Sequence, residues 1–315
     1  MKPILFSLLF LFVTKPAFSQ IPPNDRAILL DSMLIETDIK NYVYHGIIKD
    51  YKIEQESYIF TYYYKSGSML MKGTSSSKDQ LIKDGQFVYY YENGKKKSVA
   101  TYIKNNPSGK TFDWYENGNY KQEGEFIPDE KDTNKSKYRI NQFWNAEGVQ
   151  TVTDGNGDYE EVGKKTFASG KVKNGIKDGT WEGYDKNLGY TYKETYENQK
   201  LVSGISIDAT KTTHNYTIKE KKPEPKGGID KFYRYIAENF RTSYLPNGLS
   251  GKVIAKFIVD KEGQIVNPKI IKSLGSQADV EAIRVIKNSE KWIPGELRGI
   301  KVKTLYTLPL TIQTP

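Results

Sequence analysis

The last quarter of the chain predicts a compact α+β unit from the spacing of its apolar residues. Apolar side chains first recur at i, i+3, i+4, i+7, i+8 and i+11, which is the stripe of an amphipathic helix of about three to four turns. The helix should end before Pro246-Asn247-Gly248, because proline cannot donate a backbone hydrogen bond and glycine allows the chain to turn. The stripe consists of Ile229, Phe232, Tyr233, Ile236, Ala237 and Phe240.

The pattern after this helix changes to that of strands. Residues 251–260 are rich in β-branched and aromatic residues, and the turn at 260–263 leads into a second run over 264–272, so both runs predict strands. A second helix should follow and stop at Trp292-Ile-Pro294-Gly295, before a last strand over 303–312. The positions at helical spacing are Val280, Ile283, Ile286 and Lys287, and Ala282 and Val285 lie on the flank of this stripe.

The residues of this unit resemble the C-terminal domain of the TonB family, in the version found in many Bacteroidetes proteins. The markers are Gly227-Gly228-Ile-Asp-Lys-Phe, Tyr244-Leu-Pro246, Phe257-Ile-Val-Asp260-Lys-Glu-Gly263, Lys291-Trp292-Ile-Pro294-Gly295 and Tyr306-Thr-Leu-Pro309-Leu. Tyr-Leu-Pro stands where the family more often has adjacent Tyr-Pro. The fold class that we predict for residues 227–315 is therefore helix-strand-strand-helix-strand, like a TonB C-terminal domain.

The resemblance also implies a binding site on the last strand. In the family this strand lies at a sheet edge and accepts an extended peptide of an outer-membrane transporter, by the backbone pairing known as β-augmentation. Pro309 is compatible with an edge strand, although it would equally serve to block pairing there. We expect partner contacts before this proline, and the candidate partner-binding residues are Lys303, Thr304, Leu305, Tyr306 and Thr307.

Residues 58–207 repeat a short phrase, which predicts an array of antiparallel hairpins. One four-residue phrase occurs as Tyr64-Lys-Ser-Gly67, Tyr91-Glu-Asn-Gly94 and Tyr115-Glu-Asn-Gly118, and the last two copies are 24 residues apart. Asn-Gly supplies the positive φ of a tight turn, and aromatic residues before it can stack between neighbouring hairpins. The phrase resembles the degenerate bacterial form of the MORN (membrane occupation and recognition nexus) repeat, which implies a scaffold. Charged residues over 127–138 predict a polar insertion.

The remaining segments have weaker patterns. Residues 1–19 combine Met1-Lys2, an apolar run too short to span a bilayer, and the small-x-small motif Ala17-Phe-Ser19, so we interpret them as a cleaved signal peptide. Residues 20–57 have no clear pattern: 25–33 suggest a short helix capped by Asn24 or Asp25, and Tyr42, Tyr44 and Ile47 suggest a strand. Residues 208–226 predict a semi-extended linker that ends in Lys221-Lys-Pro-Glu-Pro-Lys226.

Nothing in the sequence indicates catalysis, a metal site or a cofactor. The chain has no cysteine, and neither of its two histidines, His45 and His214, has a partner at metal-ligand spacing. Asp154-Gly-Asn156-Gly-Asp158 imitates the start of a calcium loop, but Tyr159 and Lys165 occupy positions where the loop needs glycine and glutamate, which favours a hairpin turn. Trp292 suggests either a core anchor or a stacking surface for a ligand, and we favour the core.

The charge is concentrated in the C-terminal unit. Residues 226–315 contain 15 basic and 8 acidic side chains, and these account for most of the net charge of +9. Nucleic acid is not the expected target of an exported protein, so an anionic cell-wall polymer or an acidic peptide is the expected partner class.

Together these features predict a non-catalytic protein of the periplasm and cell envelope. Its partner would be an outer-membrane transporter or another envelope protein, or peptidoglycan, and after signal cleavage it would have no transmembrane helix. The alternative is an energy transducer of TonB-dependent transmembrane transport, which needs an uncleaved membrane helix and a long stalk. A glycan-cleaving enzyme is a third class, but no carboxylate pair supports it.

Overall fold

The computed structural model describes residues 21–129 and 136–314, which form two compact units divided between Asn156 and Gly157. The predicted signal peptide over 1–19 and the central part of the polar insertion lie outside the described residues. Within 21–129 and 136–314, no helix is long and apolar enough to cross a membrane.

The first unit consists of antiparallel strands that follow one another in chain order. Each of β1 to β9 pairs with the next strand along the chain, as the hairpin pattern predicts. The described strands are β1 (Arg26–Leu30), β2 (Tyr44–Ile48), β3 (Tyr58–Tyr64), β4 (Met69–Ser75), β5 (Gly85–Tyr90), β6 (Lys96–Ile103), β7 (Asn106–Trp114), β8 (Tyr120–Pro128), β9 (Ser136–Trp144) and β10 (Gln150–Thr153).

The repeated phrase forms the turns of this array and also ties one repeat to the next. Gly94 and Gly118 have φ of 82° and 92°, conformations that glycine adopts without steric cost. The hydroxyl of Tyr91 donates to the carbonyl oxygen of Trp114 at 2.8 Å. The same bond, at 2.9 Å in each case, joins Tyr64 to Tyr90 and Tyr115 to Trp144. We refer to these three bonds as the tyrosine ladder.

Residues 26–30 form strand β1, so the helix predicted over 25–33 is wrong. Ile28 and Leu30 of β1 are both buried, which is burial with a period of two. Asp25 does not cap a helix, because its carboxylate accepts the backbone N–H of Asp50 at 2.8 Å. The apolar side chains of the first hairpins pack around Phe60, Met71 and Phe87, and this tertiary packing overrides the weak local preference.

The second unit begins with six more antiparallel strands in chain order. They are β11 (Asn156–Val162), β12 (Thr166–Lys173), β13 (Ile176–Asp185), β14 (Tyr190–Glu197), β15 (Lys200–Ile207) and β16 (Thr213–Tyr216). The segment 208–226, predicted as a linker, contains β16 and the short strand β17 (Glu220–Lys221). The boundary of an independent domain at residue 227 stays a prediction.

The C-terminal part has the predicted order of helices and strands, with one additional hairpin. Its elements are α1 (Ile229–Asn239), β18 (Ser250–Val259), β19 (Ile265–Lys272), α2 (Ser276–Lys287), β20 (Gly295–Leu297), β21 (Ile300–Val302) and β22 (Thr304–Gln313). Strands β19, β18 and β22 form one antiparallel sheet, and β17, β20 and β21 form another. The fold class predicted from the sequence, a β-hairpin array followed by a small α+β domain, is confirmed.

One core joins the helices to the three-stranded sheet. Phe232 and Ile236 of α1 and Val285 of α2 pack against Val253 and Phe257 of β18. Trp292 is 2% exposed and lies in this core, with its ring centroid 5.1 Å from that of Phe232. The interpretation of Trp292 as a core anchor is therefore confirmed.

The buried face of α2 differs from the predicted one. Val280 is 69% exposed, whereas Ala278, Ala282, Val285 and Ile286 are buried. These four residues lie on the side of the helix opposite Val280. Two of them are alanines, whose small side chains allow the sheet to approach closely. The helix also ends at Lys287, before Trp292 is reached.

Candidate partner-binding edge

The last strand of the second unit lies at an edge of its sheet. Strand β22 pairs with β18 without interruption, from Ser250 opposite Gln313 to Val259 opposite Thr304. In the described part of the chain the sheet order is β19, β18, β22, so β22 has a strand neighbour on one side only. Its other side is a row of backbone donors and acceptors with the geometry that a further strand requires.

Inward side chains hold β22 in place. Leu308, Leu310 and Ile312 are 0%, 3% and 5% exposed, and full burial of such a side chain contributes about 1.5–3 kcal/mol. The Tyr306 ring packs edge-on against Trp292, with centroids 4.9 Å apart. Since the strand is anchored through these residues, changes on its outer side should leave the fold intact.

Pro309 shows which backbone groups of β22 face the open edge. Residues directly opposite each other in an antiparallel pair alternate between exchanging hydrogen bonds and facing away. Proline has no N–H to exchange with Ile254, its partner on β18. Its carbonyl oxygen instead accepts a hydrogen bond of 3.3 Å from the Tyr233 hydroxyl of α1. Pro309 thus faces outward, and by the two-residue period Thr307 and Leu305 do too.

The strand brings four of the five predicted binding residues into one row. Thr304, Leu305, Tyr306 and Thr307 open β22, and Lys303 lies just before it. Leu305 is 56% exposed and Thr307 is exposed, whereas the Tyr306 side chain belongs to the core side. The row therefore offers backbone groups and outer side chains N-terminal to Pro309.

A groove beside the second half of β22 was not predicted from the sequence. It has a volume of about 520 Å³ and lies between α1 and the strand, with Tyr233, Phe240, Pro309 and Thr311 in its wall. Tyr233 and Phe240 recur on the predicted helical stripe, but the stripe does not show which of its members stay accessible.

Comparison with known families accounts for this arrangement. Residues 245–311 match the family of the Gram-negative bacterial TonB protein C-terminal domain. This region is a TonB C-terminal domain. A search of curated proteins found none that matches the chain.

The TonB C-terminal domain continues beyond the matched residues in one respect. Helix α1 precedes residue 245, yet its Phe232 and Ile236 are buried in the same core as Trp292 and Phe257. Proteins of the TonB family belong to the cell envelope, their C-terminal domains interact with outer-membrane transporters and other envelope proteins, and the family is non-enzymatic.

The β20–β21 hairpin of the TonB C-terminal domain inserts its tip residue among the last strands of the array. Arg298 has φ of 52° in this turn and is 7% exposed. Its Nε lies 2.7 Å from a carboxylate oxygen of Glu194 on β14, and its guanidinium stacks on Tyr192 with 3.6 Å to the ring centroid. Its own carbonyl oxygen accepts the Ser206 hydroxyl at 2.7 Å. We refer to Arg298 with these three partners as the arginine plug.

Electrostatics of the arginine plug favour its charged form. Burial opposes ionisation of Glu194, but hydrogen bonding and the charge of Arg298 outweigh burial and lower the pKa of Glu194. Hydroxyls of Tyr196 and Tyr216 each donate to Glu194 at 2.8 Å. Burial, together with these bonds to Glu194, raises the pKa of both tyrosines.

The arginine plug corrects one part of the sequence interpretation. Arg298 is one of the 15 basic side chains of residues 226–315, from which an anionic partner was predicted. It is instead buried and paired with Glu194, so its charge is not available to a partner at the surface. Lys301 and Lys303 are exposed near the start of β22 and supply the positive charge there.

Proposed function

We propose that this chain is a non-catalytic envelope protein whose TonB C-terminal domain binds an extended segment of a protein partner by strand addition to β22. The observation that carries the proposal is the outward-facing backbone of Leu305 and Thr307, in an anchored strand that has no strand neighbour on its outer side within residues 21–129 and 136–314. The partner is an outer-membrane transporter or another envelope protein. Lys303, Thr304, Leu305, Tyr306 and Thr307 form the contact row.

The hairpin array serves as the scaffold in this proposal. It would carry the TonB C-terminal domain as a scaffold, in the manner of a MORN-like array. Residues 1–19 act as a cleaved signal peptide, which places the protein in the periplasm. Cleavage after Ser19, detected by intact-mass measurement of the exported protein, supports this location.

The alternative role, an energy transducer of TonB-dependent transport, makes a different prediction for the same measurement. An energy transducer must keep a membrane-spanning segment at its N-terminus. Retention of residues 1–19, together with recovery in the inner-membrane fraction, would therefore favour the transducer and refute the periplasmic scaffold.

Proline substitution tests the edge directly. Thr307→Pro removes an outward N–H N-terminal to Pro309, while the inward residues stay in place. Thr311→Pro is the matched control, because Thr311 has the same outward parity and is exposed but lies beyond Pro309. Circular dichroism is the check that both variants are folded.

The readout is site-specific photo-crosslinking in the full-length chain within the native envelope. A crosslinker at Leu305 should capture a partner, whereas one at Ile271 should not: Ile271 lies on the opposite edge strand β19 and is 57% exposed, against 56% for Leu305. Thr307→Pro should abolish the capture, and Thr311→Pro should preserve it. Equal capture in both proline variants would contradict strand addition at this edge.

A further inference from the structure

The three-stranded sheet has a second face that is not covered by the helices. Val253, Ala255, Phe257 and Val259 of β18 point into the core, so the alternate positions of this strand point to the opposite side. Lys252 and Lys256 occupy two of these positions and are exposed. This side is named the open face.

The open face collects all lysines of the sheet and no carboxylate. Strands β18, β19 and β22 contain four lysines and neither aspartate nor glutamate. Lys269 lies opposite Lys256, and Lys272 lies opposite Ile254, so both belong to the open face. None of the four forms an ion pair with a residue of the described chain.

This arrangement is not explained by protection of sheet edges. Lysines on edge strands discourage pairing with other chains, and that would account for Lys269 and Lys272 on β19. It does not account for Lys252 and Lys256, because β18 is the central strand. Moreover, Lys256 and Lys269 are directly opposite, and like charges in such a pair destabilise a sheet.

Apolar side chains alternate with the lysines along the open face. Ile254 and Ile258 lie between and beside Lys252 and Lys256 on β18, and Leu305, opposite Ile258, is 56% exposed. Neighbouring strands are about 4.8 Å apart, and residues i and i+4 of one strand are about 13 Å apart. The backbone positions of the four lysines therefore lie within a patch about 13 Å long and two strands wide. The face is thus amphipathic, with basic and aliphatic rows.

We infer that the open face docks the TonB C-terminal domain onto an anionic lipid surface. Lysines are point charges on flexible stems, suited to dispersed phosphates, whereas arginine, tryptophan and tyrosine anchor most specific protein interfaces. The open-face positions of β18, β19 and β22 contain none of those three residue types. Lysine ammonium groups pair with lipid phosphates while Ile258 and Leu305 contact the acyl boundary.

Vesicle sedimentation of the full-length chain tests the inference. Wild type should pellet with phosphatidylcholine vesicles that contain phosphatidylglycerol and not with pure phosphatidylcholine, and binding should weaken as salt is raised. Each lysine near an anionic surface contributes about fivefold to partitioning, so Lys252→Gln, Lys256→Gln, Lys269→Gln and Lys272→Gln together should lower it on the order of several hundred-fold.

A second quadruple variant provides the matched control. It replaces four exposed lysines that lie outside the three-stranded sheet, namely Lys164, Lys173, Lys200 and Lys222. Their replacement by glutamine removes the same total charge. The control should bind nearly as wild type does. An equal loss in both variants would show that net charge alone drives binding and would overturn the inference. So would pelleting with purified peptidoglycan but not with anionic vesicles.

The inference does not depend on strand addition at β22. The open-face variant should still be crosslinked to its partner through Leu305, because no backbone group of β22 is altered. If the wild-type protein binds vesicles but is not crosslinked to a partner through Leu305, the result counts against the proposed function and leaves lipid docking in place.

Discussion

Replacement of Arg298 by methionine should destabilise the second unit by about 3 kcal/mol. The change removes the only cation bonded to Glu194 among the described residues, while the apolar stem is kept. Loss of one partner of a buried ion pair costs about 3–5 kcal/mol, because the other charge is left uncompensated. Glu194 is 1% exposed, and the hydroxyls of Tyr196 and Tyr216 still donate to it. We therefore expect a value at the lower end of that range.

The pH dependence of the loss identifies Glu194 as its source. In the wild type the pKa of Glu194 is lowered, so its contribution is present above about pH 4.5 and is lost as pH falls through the folded-state pKa. In Arg298→Met burial acts without the cation and should raise that pKa above its unfolded value. The variant should then recover stability, relative to wild type, as pH is lowered from neutrality.

Urea unfolding of the full-length chain, followed by circular dichroism, measures these effects. The double variant Glu194→Gln/Arg298→Met removes both charges and leaves no buried charge without a partner. Its destabilisation should therefore be smaller than the sum of the values for the two single variants. In the fragment 226–315, which lacks Glu194, Arg298→Met should be nearly neutral. A loss below about 1 kcal/mol in the full chain, or an equal loss in the fragment, would refute the role of the plug.

Three further predictions concern stability. Trp292→Ala should destabilise the C-terminal domain by about 3–5 kcal/mol, measured by thermal unfolding, since a large buried ring is lost; an unchanged melting temperature would contradict its role in the core. The fragment 226–315 should unfold cooperatively, because residues 232–312 supply the entire core cluster of the domain; a featureless urea curve would move the domain boundary. Gly73→Ala should lower the free energy of unfolding by about 1–3 kcal/mol, because an added Cβ would lie 2.4 Å from the Phe87 ring. Gly67→Ala adds the same methyl group where no atom lies within 4 Å, so any loss there comes from the positive φ of Gly67 alone.

Local signals explain the parts of the fold that could be predicted. The stripe from Ile229 to Phe240 and the turn at Asp260 have short-range causes, and the structure has a helix and a hairpin there. The same holds for the Asn-Gly turns, because a positive φ is a property of one residue. The edge position of β22 could be anticipated only through the resemblance and Pro309.

Long-range contacts explain the parts that could not be predicted. The bond between Glu194 and Arg298 joins residues 104 positions apart, and nothing in one sequence pairs this acid with this base. Strand β1 has too few residues to show its period, so its pairing with β2 decided its conformation. The open face required knowledge of the register between β18 and β19, which contains bulges that no local pattern reveals.

The tyrosine ladder makes the array extensible. Each of its hydroxyls bonds to a carbonyl in the next repeat, although the partners are separated by 26, 23 and 29 residues. The chain between two rungs can therefore lengthen, as it does between Tyr115 and Trp144, without breaking a rung. A duplicated repeat would bring its own rung and add two strands, or about 10 Å. Duplication and loss of repeats would thus change the width of the sheet in steps of one hairpin.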